Sequence, residues 1–171
     1  MSSGVVQAPP SNPQRVEPEN RVRSIPGSWG MVATWMLVIS LLSGEPFSAE
    51  NTNRYLDPML RFFFPHLTAA QFTFAHSVIR KSAHFTEFFI LGSLAFWAAR
   101  RGRAPRWRGV WMLQAIGLAV MYSLVDELHQ AFTPNRTASL TDSAIDSLGA
   151  VISQAFIYLR HLKLTRLGIL R

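Results

Sequence analysis

No cysteine occurs in the chain. Disulfides and thiolate metal sites are therefore excluded, and the redox compartment stays unread. Acid is scarce too: ten Asp and Glu stand against 17 Lys and Arg, for a net charge of +7. Familiar catalytic signatures are missing. There is no His-Glu-x-x-His, no Gly-x-Ser-x-Gly and no phosphate-binding glycine loop. No internal repeat is visible. In a soluble protein the basic excess would suggest nucleic acid. Here the basic residues sit in short segments beside apolar blocks, as membrane orientation demands, so no nucleic-acid partner is expected.

What the chain does have is apolar blocks. Of its 171 residues, 49% are hydrophobic. They cluster in runs of roughly 17–20, the length that crosses about 30 Å of hydrocarbon as a helix. Residues Trp29–Ser43 and Trp111–Leu124 are apolar all round rather than amphipathic. This favours a membrane protein over a soluble bundle. The expected fold class is all-α: a polytopic four-helix transmembrane bundle with an interfacial segment in the first external loop.

Residues 1–26 hold five of the ten prolines and are expected to form a disordered cytoplasmic tail. The transmembrane domain is expected over 27–160, with a basic cytoplasmic tail at 161–171. The spans are placed at about 27–43, 82–99, 110–124 and 142–159. Residues 45–67 read as a mixed loop, whose Arg61-Phe-Phe-Phe-Pro-His is too short to span and suits the bilayer surface. Thr68-x-x-Gln71 is a capping-box pattern. A helix running from there to residue 99 would be about 48 Å long, so its first turns must project from the membrane or it must bend near Ser77. Thr133-Pro-Asn-Arg136 reads as a turn, and Ser139 or Thr141 as a helix cap.

With four spans, the tails and the second loop share one side and carry 12 Lys and Arg, while the other two loops carry five. The positive-inside rule then puts both termini in the cytoplasm.

The chemistry is concentrated in Asp126–Asp146, which holds four carboxylates, a histidine, a glutamine and an arginine. In this topology those groups meet His84 and Glu87 at one level, the extracytoplasmic lip. Intramembrane polar groups of this kind are costly and need partners. Helical spacing puts Lys81 with His84, Glu127 with Gln130, and Asp126 with both His129 and Gln130. Ser139, Asp142, Asp146, Gly149 and Ser153 form one narrow stripe, polar outside and small deeper in. Equal depth brings His84 and Asp146 into one cluster with Glu127. Each group also has a plain reading: helix-terminal acids favoured by the macrodipole, snorkelling bases at Arg80 and Lys81, and aromatic packing around Tyr122. A divalent metal such as zinc or manganese would suit His84, His129 and the carboxylates, although spacing does not single one out.

These residues resemble the VanZ-like family of bacterial membrane proteins. The resemblance rests on Lys81-Ser-Ala-His84-Phe-Thr-Glu87, on Asp126-Glu127-Leu-His129-Gln130-x-Phe132-x-Pro134-x-Arg136, and on Asp142-x-x-x-Asp146-x-x-Gly149. It covers roughly residues 30–160. Asn135 departs from the family's common glycine but tolerates the same left-handed backbone. The resemblance implies a multi-pass protein of the bacterial plasma membrane and cell envelope. It also brings in glycopeptide resistance, since the founding member is associated with low-level teicoplanin resistance. Two functions fit the residues. One is binding of a lipid, a lipid-linked envelope precursor or a lipoglycopeptide, through Lys81, Glu87, Asp126, His129, Gln130 and Arg136. The other is an enzyme, a hydrolase or transferase acting on an anionic amphipathic envelope substrate. Glu127 or Asp142 would then be the base, His84 or His129 the acid or a metal ligand, and Asp146 part of the same centre.

Overall fold

The computed structural model describes residues 28–44, 49–100, 107–132 and 139–169. Among these the protein is all-helical, with α1 over Ser28–Leu42, α2 over Ala49–Phe63, α3 over Ala69–Arg100, α4 over Gly109–Ala131 and α5 over Leu140–Arg166. The proline-rich tail, most of the arginine-rich loop and the turn carrying Asn135 and Arg136 lie outside the described residues.

Helix α3 is the hub. It packs along α5 and α4, takes α1 on another side, and makes the main contacts of α2 among the described residues. It begins where the capping box places it. The Thr68 amide donates to Gln71 Oε1 at 2.8 Å, and the Gln71 amide donates back to Thr68 Oγ1 at 3.4 Å. From there α3 runs 32 residues as one helix. Its first turns meet α2 through Phe72 and His76.

Helix α2 corrects the expected loop at 45–67. Residues 49–63 are a 15-residue helix with Pro58 inside it. Tertiary contacts to α3 hold it. His76 Nε2 and Asp57 Oδ1 are 2.7 Å apart, Leu60 is buried, and the Arg61 guanidinium lies 4.7 Å over the Phe72 ring. Phe62, Phe63 and Phe64 at its end remain exposed.

Small residues let α3 and α5 approach closely. A methyl group at Gly149 would strike the Phe85 carbonyl oxygen, and one at Gly92 would lie 2.6 Å from Ser153 Oγ and 3.1 Å from Ala150 Cα. Ser153 and Gln154 are buried at this crossing, where Gln154 Nε2 donates to the Gly92 carbonyl at 2.9 Å. The expected stripe on α5 faces inward: Asp142, Asp146, Gly149 and Ser153 are all buried.

Polarity is inverted relative to a soluble domain. Much of the interior is polar, including His84, Ser123, Asp126, Asp146 and Gln154. The outer faces carry large apolar side chains, among them Leu37 and Leu41 on α1, Leu113 and Met121 on α4, and Val151 and Phe156 on α5. Among the described residues α4 is the one helix both long and apolar enough to cross a membrane, and 28% of its most apolar stretch is buried. Helix α1 is apolar but has only 15 residues, about 22 Å. Helices α3 and α5 are long but diluted by the polar groups of the site. By length and composition the helices account for one span, where the sequence patterning led to four.

Candidate functional site

The site forms where the ends of α1 and α4, the start of α5 and the middle of α3 meet. Helix α4 presents Ala119, Ser123, Asp126 and Gln130, a four-three-four spacing that keeps one face inward. Asp126 Oδ2 accepts from Ser43 Oγ and from Gln130 Nε2, both at 2.9 Å. The first bond ties the end of α1 to α4. The second is an i, i+4 pair within α4.

Across the bundle, His84 Nδ1 lies 3.4 Å from Asp146 Oδ1, with both residues buried. This is the contact equal depth foretells. Asp146 Oδ2 accepts from Ser123 Oγ at 3.2 Å, and Ser123 in turn sits 2.7 Å from Ser143 Oγ. With Ser143 donating to Ser123, the Ser123 proton is available to Asp146.

Glu127 does not complete this cluster as expected. It is buried, but its Oε2 accepts the backbone N–H of Ser139. That amide is an orphan of the α5 N-terminus, so Glu127 from α4 takes a capping role. Ser139 makes no side-chain cap of its own. Asp142, one turn later, is paired with Arg80 at 3.2 Å. Asp142 is buried, and the Arg80 side chain is 44% exposed.

His129 is exposed, and Asp126 is paired with Gln130. Residue 129 is one step from Gln130, and one step is 100° around a helix, off the inward face. Lys81 is half-buried, and the cation that meets the α5 acid is its neighbour Arg80. Arg80 stands four residues before His84, so the same spacing rule marks it. Ser43 and Ser123 carried no such signal, because a serine in an apolar run reads as a small packing residue. Arg136 lies outside the described residues.

Beside the cluster lies a cleft of 720 Å³ between α2, the first half of α3 and the end of α1. Its walls include His84 and Glu87 at the inner end, Arg80 and His76 along α3, and Arg61 and Leu56 from α2. Glu87 is half-buried, and its backbone carbonyl accepts from Trp35 Nε1 at 2.9 Å. Among the described residues, one group of metal-type donors converges: His84, Asp126 and Asp146, each offering an atom within 4.8 Å of the others. Glu127 and His129 are not in that group.

A model of the VanZ/LLP1 family matches residues 28–161, most of the chain, and the protein belongs to this family. No curated protein and no solved structure matches it.

Proposed function

We propose that this VanZ-family chain is a multi-pass membrane protein of the cell envelope whose cleft binds the headgroup of an anionic amphipathic ligand. The carrying observation is the cleft itself. At 720 Å³ it has the size of a small-molecule site, and it combines the guanidinium groups of Arg61 and Arg80 with His76 and His84, the acids Asp57 and Glu87, and apolar walls. Arginine's planar fork suits a phosphate or carboxylate.

The inverted polarity supports the membrane setting. An exterior rich in exposed leucine, valine and phenylalanine is stable in lipid and would aggregate in water. The end remote from the site carries Trp29, Trp97, Trp107 and Tyr158, with Arg100 over Trp97. Aromatic and basic residues collect at membrane–water boundaries in this way. In this reading α1, α3, α4 and α5 are the four spans, both termini are cytoplasmic, and α2 lies in the outer interface with Phe62–Phe64 toward lipid. A lipid, a lipid-linked envelope precursor or a lipoglycopeptide would place its tail along α2 and its headgroup against Arg80. Capture of such a molecule would give glycopeptide resistance by sequestration or masking.

The second reading is an envelope hydrolase or transferase. One observation favours it: Glu127 Oε1 is buried with no hydrogen-bond partner among the described residues, while Oε2 is anchored. Such a carboxylate could serve as a base. Against it, Ser123 contacts Asp146 rather than the histidine a nucleophilic serine needs.

The absence of native cysteine makes topology testable without background. A cysteine at Ser48 or Thr137 should react with an impermeant thiol reagent in intact cells, and one at Ser11 should not. The opposite pattern would move the site to the cytoplasmic face. For binding, the purified chain in nanodiscs should take up a long-chain alkyl phosphate, and Arg80→Glu should abolish uptake. Equal uptake by that variant would remove the cleft from the proposal. Turnover of a lipid-linked precursor that Glu127→Gln abolishes would favour the enzyme.

A further inference from the structure

The hydrogen bonds around the two buried aspartates are divided unevenly. On Asp126, Oδ2 receives both Ser43 and Gln130, and Oδ1 receives nothing from the described residues. On Asp146, Oδ2 receives Ser123, and Oδ1 has only the long, 3.4 Å approach of His84 Nδ1. His84 Nδ1 likewise has no hydrogen-bond partner among the described residues. The three side chains are 6%, 2% and 0% exposed for His84, Asp126 and Asp146. A buried polar atom left unsatisfied is destabilising, and here three fall in one group.

We infer that His84, Asp126 and Asp146 form a binding site for one divalent cation of the zinc or manganese class. The donors come from three different helices, and each offers a ligand atom within 4.8 Å of the other two. Side-chain adjustments of less than about 1 Å reach the roughly 2.0–2.2 Å of metal–nitrogen and metal–oxygen bonds. One imidazole nitrogen with carboxylate oxygens is the donor set of these ions and not of the soft, thiolate-seeking metals.

Charge points the same way. Two buried carboxylates need two positive charges. An imidazolium supplies one, whereas a divalent cation with a neutral histidine closes the balance. The outer hydrogen bonds fit as well. Ser43, Gln130 and Ser123 each hold Oδ2 and leave Oδ1 without a hydrogen bond, which is how outer partners orient metal-bound carboxylates. Three protein ligands leave coordination positions open, as in sites that also bind substrate or water. Of the three donors, His84 alone also lines the cleft.

The site is tested on the purified full-length chain in detergent, stripped with chelator and then given Mn2+ or Zn2+ alone. One equivalent of metal per chain should remain after desalting, and the thermal midpoint should rise on loading. Asp126→Asn and Asp146→Asn preserve shape and remove charge. Each should weaken retention at least 100-fold, while a His66→Gln/His161→Gln double variant retains the full equivalent. No retention of either ion by the wild type would overturn the site, as would unchanged retention in both asparagine variants. Should a variant misfold, the wild type alone decides through imidazole 15N resonances. Added Zn2+ must shift the His84 Nδ1 signal, and an unmoved signal overturns the site equally. None of these readouts depends on ligand binding in the cleft or on catalysis.

Discussion

The two ends of the bundle are built on opposite principles. At one end Ala95, Phe96, Ala99, Trp111 and Ala115 pack with Trp107 and Ile157, and Phe96 and Trp111 meet edge to face at 6.3 Å. At the other, the same three helices bring together His84, Asp126, Asp146, Asp142 and Glu127. The apolar end can exchange one hydrocarbon for another at modest cost, because dispersion contacts are many, small and non-directional. The polar end cannot. The most deeply buried groups there, Asp126 and Asp146, depend on a few named partners, and removing one exposes part of the desolvation penalty. In a lipid setting the contrast sharpens, since apolar faces gain little by leaving lipid for one another. The difference teaches that the apolar end supplies fit, and the polar end supplies the unique register of α3, α4 and α5.

The largest effect should come from Asp146→Ala, which removes the buried carboxylate that faces His84 and accepts from Ser123, and leaves a void in its place. A loss of about 3–5 kcal/mol is expected, measured by denaturant unfolding in micelles. At the other end Phe96→Leu should cost only about 1–1.5 kcal/mol in the same assay. Equal losses would break the contrast between the ends.

Next comes the crossing that joins them. Gly149→Ala places a methyl against the Phe85 backbone, which cannot yield as a side chain can, and should cost about 1–3 kcal/mol. Gly117, on α4, has nothing within 4 Å of the same added methyl. Gly117→Ala should therefore be neutral or stabilising by up to about 1 kcal/mol through helix propensity. If both glycines behaved alike, close approach of α3 and α5 would not be what positions the site.

The smallest stability effect should be that of Arg80→Ala. The guanidinium is substantially exposed, so its bond to Asp142 should contribute about 0.2–1 kcal/mol. The same change should remove most alkyl-phosphate binding in nanodiscs, separating the recognition part of the polar end from its structural part. Intact binding would return Arg80 to the role of a surface cation.

Much of this was legible beforehand. The capping box at Thr68, the α5 stripe from Asp142 to Ser153 and the approach of His84 to Asp146 all follow from helical period and chain length, whereas period and length alone leave open whether α3 bends near Ser77. Helix α2 did not announce itself, because Pro58 and its polar residues read as loop and its stability comes from α3. Glu127 misled for a related reason. Its spacing puts it on a buried face, but nothing local says that the Ser139 amide, 12 residues on, would claim it.

The sequence by itself determined the apolar helices α1, α3, α4 and α5 and that the chemistry gathers at one end. Periodicity is local, and it is fixed once the order of residues is fixed. Only the tertiary structure decided which of two neighbours faces the site. Arg80 and Lys81 are adjacent and similar, and a rotation of α3 by 100° would exchange them. That rotation is set where Gly92 meets Ala150 and Ser153 and where Phe85 meets Gly149, contacts with a second helix about sixty residues away in the chain. The same rotation aligns His84 with Asp146. Packing between distant segments chooses one angle among several that the helix's own backbone would accept equally well.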